Sequence, residues 1–198
     1  MIACALALVL LLDVSLSVQA PDYRLQRDGV AQAFAHEQIQ QIIHREGGIA
    51  VTVIEWATQQ KTVIPWRYLT SVADVHTFSR EVAALERSLS GFTAIGDAIQ
   101  AGIDSLATVP CDAERIVFDV SGDGVNNQGP VAEIARDAAQ ELGIQINGLP
   151  ILNNPELDLE SYYRQSVITR DGFLVVANGF ADFARAIRRK LVLEIGSR

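Results

Sequence analysis

Lysine is almost missing from this chain. Lys61 and Lys190 are the only two, and 16 lysines and arginines face 24 aspartates and glutamates, for a formal net charge of −8. Such a balance offers no basic surface to neutralise a phosphate backbone, which argues against nucleic acid as a partner. The one basic cluster, "ARAIRRK", sets Arg185, Arg188, Arg189 and Lys190 near the C-terminus, where a helix dipole suffices to explain cations. Neither G-x-G-x-x-G nor a phosphate-loop lysine is present, which removes the common nucleotide sites. There is no G-x-S-x-G elbow and no histidine placed as a base, which removes a serine hydrolase. The three histidines, His36, His44 and His76, have no metal-ligand spacing. After the opening stretch no second long apolar run follows, so nothing reads as a membrane span. Low-complexity tracts and internal repeats are absent as well.

What is present begins with "MIACALALVLLLDVSLSVQA". The stretch can be read as a secretory signal ending at the A-x-A-like "VQA", or as a buried strand that delivers Asp13, Ser15 and Ser17 to a site at its tip. The first positive charge is Arg24, whereas a signal begins with lysine or arginine. The expectation is therefore strand, turn and site, with no cleavage at Ala20.

Apolar and turn signals then alternate along the chain. Strands are expected at Ala5–Leu12, Ile49–Ala57, Lys61–Trp66, Arg115–Ser121, Gln145–Leu152 and Phe173–Ala177. Helices are expected at Asp22–Arg45 (capped by Asp22), Asp74–Ser88, Ile95–Leu106, Pro130–Leu142, Leu157–Val167 and Ala181–Leu193. Strands separated by helices imply an α/β, doubly wound, Rossmann-like domain over residues 1–198. Its sheet would have six strands, mainly parallel, with one antiparallel edge strand from a hairpin. Ligands of such sheets bind beyond the carboxyl ends of the strands.

Three motifs lie there: "DVSLS" after the first strand, "SGFTAIGDAI" opening the helix at Ile95, and "SGDGVNN" after the strand near residue 120. They offer two carboxylates and three hydroxyls, Asp13, Asp123, Ser15, Ser17 and Thr93, with no thiolate or imidazole. This hard oxygen set suits Mg²⁺, Mn²⁺ or Ca²⁺ and disfavours zinc or copper. Behind them, Asp97 can support the ligands or merely favour its helix N-terminus. Asp119 can orient the loop from within its strand, and Asn126 can shape the loop after Asp123 or donate to a ligand.

On these residues the chain resembles the von Willebrand factor A domains and their metal-ion-dependent adhesion site. The wider pattern, with "VIEWA", "PW", "PCDAERIVFDVSGDGVNNQGP", "INGLPIL" and "FADFARAIRRKL", is similar to a bacterial family of secreted von Willebrand A-like proteins of unknown function, over nearly the whole chain. The resemblance implies that Ser15, Ser17 and Thr93 contact the metal and that Asp13 and Asp123 bind it directly or through water. A remaining coordination position would be open to an Asp or Glu of a protein partner. Leu16 departs from the pattern, since the family motif carries a small residue there, often Gly.

The resemblance further implies strand order 3-2-1-4-5-6 and a periplasmic or secreted protein whose own signal peptide lies outside the sequence given. With the first and fourth strands as neighbours, Cys4 and Cys111 fall at the end of the sheet opposite the site, either disulfide-bonded or as two unpaired buried thiols. The function implied is non-catalytic, cation-dependent protein binding. A rival reading is a Mg-dependent phosphatase of the haloacid dehalogenase type with Asp13 as nucleophile. That chemistry needs a second carboxylate two residues on, where Ser15 stands, and a lysine to hold the phosphoryl group.

Overall fold

From Leu6 to Leu12 the chain has no polar side chain to turn toward water, and each of these residues is at most 2% exposed. Such a run suits a strand covered on both faces. In the computed structural model, which describes residues 2–196, it forms the middle of strand β1 (Ile2–Asp13). Strands β2 (Ile49–Trp56), β3 (Gln60–Leu69), β4 (Cys111–Gly122) and β5 (Gln145–Pro150) complete a five-stranded sheet in the order β3-β2-β1-β4-β5. All neighbours are parallel except β2 and β3, whose hairpin makes the antiparallel edge.

Alternation along β1 divides the core. Leu6, Leu8, Leu10 and Leu12 pack under α1 (Ala20–Ala35), α2 (Glu37–Arg45), α3 (Val72–Ala83) and α7 (Phe183–Gly196). Val9 and Leu11 face α4 (Ile95–Ser105), α5 (Ala132–Glu141) and the short α6 (Leu159–Tyr162), which runs into a π-helical turn at Tyr163–Val167. Among the described residues no helix is long and apolar enough to cross a membrane.

The sixth strand is not formed. Residues 173–177 do run beside β5, and Gly148 N donates to Phe173 O and Leu152 N to Ala177 O. Between those rungs stands Pro150, which has no N–H to donate, so only isolated bridges at Leu174 and Ala177 remain.

The expected helix 22–45 is also broken, at His36, whose backbone is extended (φ −71°, ψ 131°) and whose Nδ1 accepts from Gln38 N. The apolar stripe explains the break. Phe34 is buried, Glu37 and Gln38 are exposed, and Ile39 is buried again, a phase no continuous helix can hold. Asp22 lies inside the first turn, with Gln19 at the cap position. Helix α3 ends five residues before Ser88, because residues 84–94 cross the strand tips. It opens on a capping box in which Asp74 pairs with Ser71.

The basic cluster is a correction too. Helix α7 continues to Gly196, so the cations are not in its last turn. Arg185 pairs with Asp182, and Lys190 is fully buried with Nζ 2.8 Å from Asp119 and 2.6 Å from Glu194.

Cys4 and Cys111 are disulfide-bonded, with Cα atoms 5.8 Å apart, and no free cysteine remains among the described residues. The bond lies at the start of β1 and β4, remote from the strand tips. Closing a loop of 107 residues restricts the unfolded chain strongly. A Cys4→Ser/Cys111→Ser variant is therefore expected to lose about 2–5 kcal/mol of unfolding free energy in urea titrations. An unchanged midpoint would show that the bond restrains nothing that unfolding releases.

Candidate metal centre

Register brings the motif residues together. Leu12 of β1 pairs with Ser121 of β4, so Asp13 emerges beside Gly122 and Asp123. The chain then turns sharply, with Ser15 N donating to Asp13 Oδ1 (2.7 Å) and Val18 N to Ser15 O (3.1 Å). That turn aims two hydroxyls back over the strand tips. Ser15 Oγ and Ser17 Oγ are 3.0 Å apart, and Ser17 Oγ donates to Asp123 Oδ1 at 2.6 Å. Four of the five residues thus form one continuous polar chain.

Thr93 arrives from the other side, two residues before α4. Its backbone is latched to the loop after Asp123: Thr93 N donates to Asn127 Oδ1 (2.9 Å), and Thr93 O accepts from Asn127 N and Gln128 N. Its hydroxyl faces Gly124, 3.4 Å from where a Cβ there would lie.

The three residues expected behind these fare differently. Asn126 shapes the loop. Its Oδ1 accepts from Gly96 N, its Nδ2 donates to Gln128 O and Pro130 O, and its N–H donates to the Tyr162 hydroxyl. Asp97 lies against Gly129 and makes no hydrogen bond to the five residues. Asp119 is a correction, because in register with Leu10 its side chain points to the α7 face, where it meets Lys190. A strand side chain on that face points away from the Asp13 side of the sheet.

Asp13 is fully buried, and its Oδ2 has no hydrogen-bond partner. Burial raises its carboxyl to about 7, against the lowering effect of the Ser15 hydrogen bonds. Burial likewise raises Asp123. Gly122 leaves the space around this oxygen open, since a Cβ there would fall 2.7 Å from Asp13 Oδ2 and 2.9 Å from the Tyr163 hydroxyl. The Tyr163 hydroxyl and Trp56 Nε1 are also buried without partners. An unpartnered buried carboxylate oxygen beside neutral hydroxyls is the environment a hard cation compensates. Among the described residues no three His, Cys, Asp or Glu side chains cluster as a metal site, so any ion here depends on the hydroxyls.

The sequence reading missed three residues of this region. Tyr163 carries no local signal. Glu55 does, as the one acid in "IAVTVIEW", and it is fully buried. Its Oε1 accepts from the Tyr23 hydroxyl (2.6 Å), and its Oε2 from Ser88 N and Oγ (2.9 and 2.6 Å). Arg87 lies next to that joint and reaches the Asp13 turn.

The family of proteins of unknown function DUF1194 matches residues 3–198. The chain belongs to this family. No curated protein matches it. Among solved structures, proximal thread matrix protein 1 from the mussel byssus superposes on this DUF1194 member with a TM-score of 0.69 at 16% identity, covering 98% of this chain and 48% of its own. The chain therefore spans about half the length of that protein. A form of the same mussel protein with a zinc-occupied MIDAS motif gives 0.68 at 18% identity, over 96% and 45%. The conserved hypothetical protein BatB from Bacteroides thetaiotaomicron gives 0.65 at 19% identity, over 98% of this chain and 100% of its own. The fold is that of a von Willebrand factor A domain, with five strands where six were expected.

The protonation of Asp13 gives a prediction with a definite sign. In the metal-free fold its carboxyl titrates at about 7, against 3.8 for an ordinary aspartate. Between those values the folded state holds a proton that the unfolded state has released. Stability from this group is thus fully present below pH 4 and lost as pH rises to 7, by about 4 kcal/mol at most. Metal-free Asp13→Asn should be more stable than wild type at pH 8 by a few kcal/mol, and the two should converge near pH 4. Chemical denaturation across pH checks this. A variant less stable than wild type at pH 8 would show that Asp13 is satisfied without a cation.

Proposed function

We propose that this protein is a non-catalytic, divalent-cation-dependent binding module that grips an acidic side chain of a protein partner. The cation is held by Asp13, Ser15, Ser17, Thr93 and Asp123. The observation that carries this reading is Asp13 Oδ2, a fully buried carboxylate oxygen with no donor, at the end of a hydroxyl chain leading to a second carboxylate. A bound Mg²⁺, Mn²⁺ or Ca²⁺ supplies the missing positive charge and a coordination position for an outside carboxylate. The chain's own part is to keep three of its five ligands neutral. Two carboxylates then no more than balance a dication, and a third from a partner remains a favourable ligand. The zinc-occupied motif of the mussel protein supports metal binding by this fold.

The disulfide supports action in an oxidising compartment, periplasmic or secreted. The phosphatase alternative finds no observation in its favour. The residue two after Asp13 is Ser15, Lys190 is buried on the opposite face between Asp119 and Glu194, and Lys61 stands on the edge strand.

Calorimetric titration of EDTA-stripped protein with Mg²⁺, Mn²⁺ and Ca²⁺ tests the reading. Saturable one-site binding is expected in the wild type, with at least tenfold weaker binding in Asp13→Asn and Ser15→Ala. Binding that survives both substitutions unchanged would put the ion elsewhere and end the assignment.

A further inference from the structure

We infer that Arg87 is the positioning residue of the metal turn, a guanidinium that sets the geometry of Ser15 and Ser17 by holding main-chain carbonyls rather than by touching the ion. This rests on the metal reading of the site above.

The geometry is specific. Arg87 Nη2 donates to Val14 O (2.6 Å) and Ser15 O (2.8 Å), Nη1 to Val18 O (2.9 Å), and Nε to Leu89 O (3.0 Å). Four of the five N–H groups of one planar fork are thus spent on carbonyls. Three of those carbonyls bracket the two candidate serine ligands. The fourth belongs to the segment that leads to Thr93, so one side chain ties together two of the three ligand-bearing segments. Leu16 N donates to Gly91 O (2.8 Å) across the same seam, and Phe92 N to Thr58 Oγ1 (2.8 Å).

Arg87 is itself fixed from behind. Ser88 bonds the buried Glu55 through both its N–H and its hydroxyl, and Glu55 is held from α1 by Tyr23. The segment 84–94 has no helix or strand of its own to define its path. These side-chain bonds supply the definition. The arrangement also suits Leu16, because with the turn gripped from its carbonyl side the Leu16 side chain can point outward, 61% exposed.

Lysine cannot replace this fork, having one nitrogen with three donors. Arg87→Lys and Arg87→Gln, beside a Ser79→Ala control that removes the buried Ser79–Ala31 bond under α3, separate positioning from mere stability. Two readouts are needed: Mn²⁺ affinity by calorimetry, and amide hydrogen exchange of the metal-free proteins. The expected result is Mn²⁺ affinity reduced 10–100-fold in both Arg87 variants, as for other groups that orient ligands. The amides of Ser15, Leu16 and Val18 should exchange faster while β1 and β4 stay protected, and the control should change neither readout. Wild-type affinity in a folded Arg87→Lys, or unchanged exchange of the turn, overturns the inference. Exchange is read without metal, so it decides the role of Arg87 even if wild-type protein binds no Mn²⁺. That last result would instead defeat the metal reading beneath it. If Arg87→Gln fails to fold, Arg87→Lys carries the test.

Discussion

Strand β1 has a neighbour on each edge and a layer of helices on each face, so every main-chain group it carries between Leu6 and Leu12 must be satisfied by β2 or β4. A slip of one residue would turn its leucines from one core to the other and bury nothing correctly. Its register with β4 is therefore fixed by the two hydrophobic cores that its side chains enter on either face. The placement of Asp13 beside Asp123 follows from that register. The loops only add hydroxyls to a spacing the sheet has already set.

Buried carboxylates recur around this sheet, and each is compensated in a different way. Glu55 takes three hydrogen bonds from a tyrosine and a serine. Asp119 and Glu194 share Lys190, and burial together with the nearby Asp119 raises the Glu194 carboxyl. Asn147 completes that group with a 3.0 Å bond to Glu194. Asp13 alone combines full burial with an unpartnered oxygen at a strand tip that opens on the ligand turns. The Glu55 cluster is closed by hydrogen bonds, and the Asp119–Glu194 cluster, although it keeps oxygens without a hydrogen-bond partner, is offset by Lys190. Asp13 Oδ2 has neither, and it stands beside the ligand turns.

Much of this was legible in the residue order. The unbroken apolar run named the central strand, and alternation of strand and helix signals named the layers. The D-x-S-x-S turn, the Thr93 segment and the G-D-G turn fell at the strand ends, where an α/β sheet puts its ligands. What the sequence concealed depends on partners far along the chain. Pro150 looks harmless in a strand until a neighbour needs its missing N–H. Asp119 reads as part of the site until register shows which face it takes. The break at His36 has no glycine or proline to announce it, only a phase change in buried positions. Arg87 stands in a polar run, "ERSLS", and its meaning lies in carbonyls some 70 residues earlier.

The cystine and the ligand turns sit at opposite ends of the same two strands. A partner that pulls on a cation held by Asp13 and Asp123 would load β1 and β4 in tension from one end. Hydrogen bonds between parallel strands resist such a load in shear, and the covalent link at Cys4 and Cys111 stops one strand from creeping past the other. The force would then be shared by both strands and passed to the helices packed on either face. Under reducing conditions the same pull would meet two strands coupled by hydrogen bonds and packing alone.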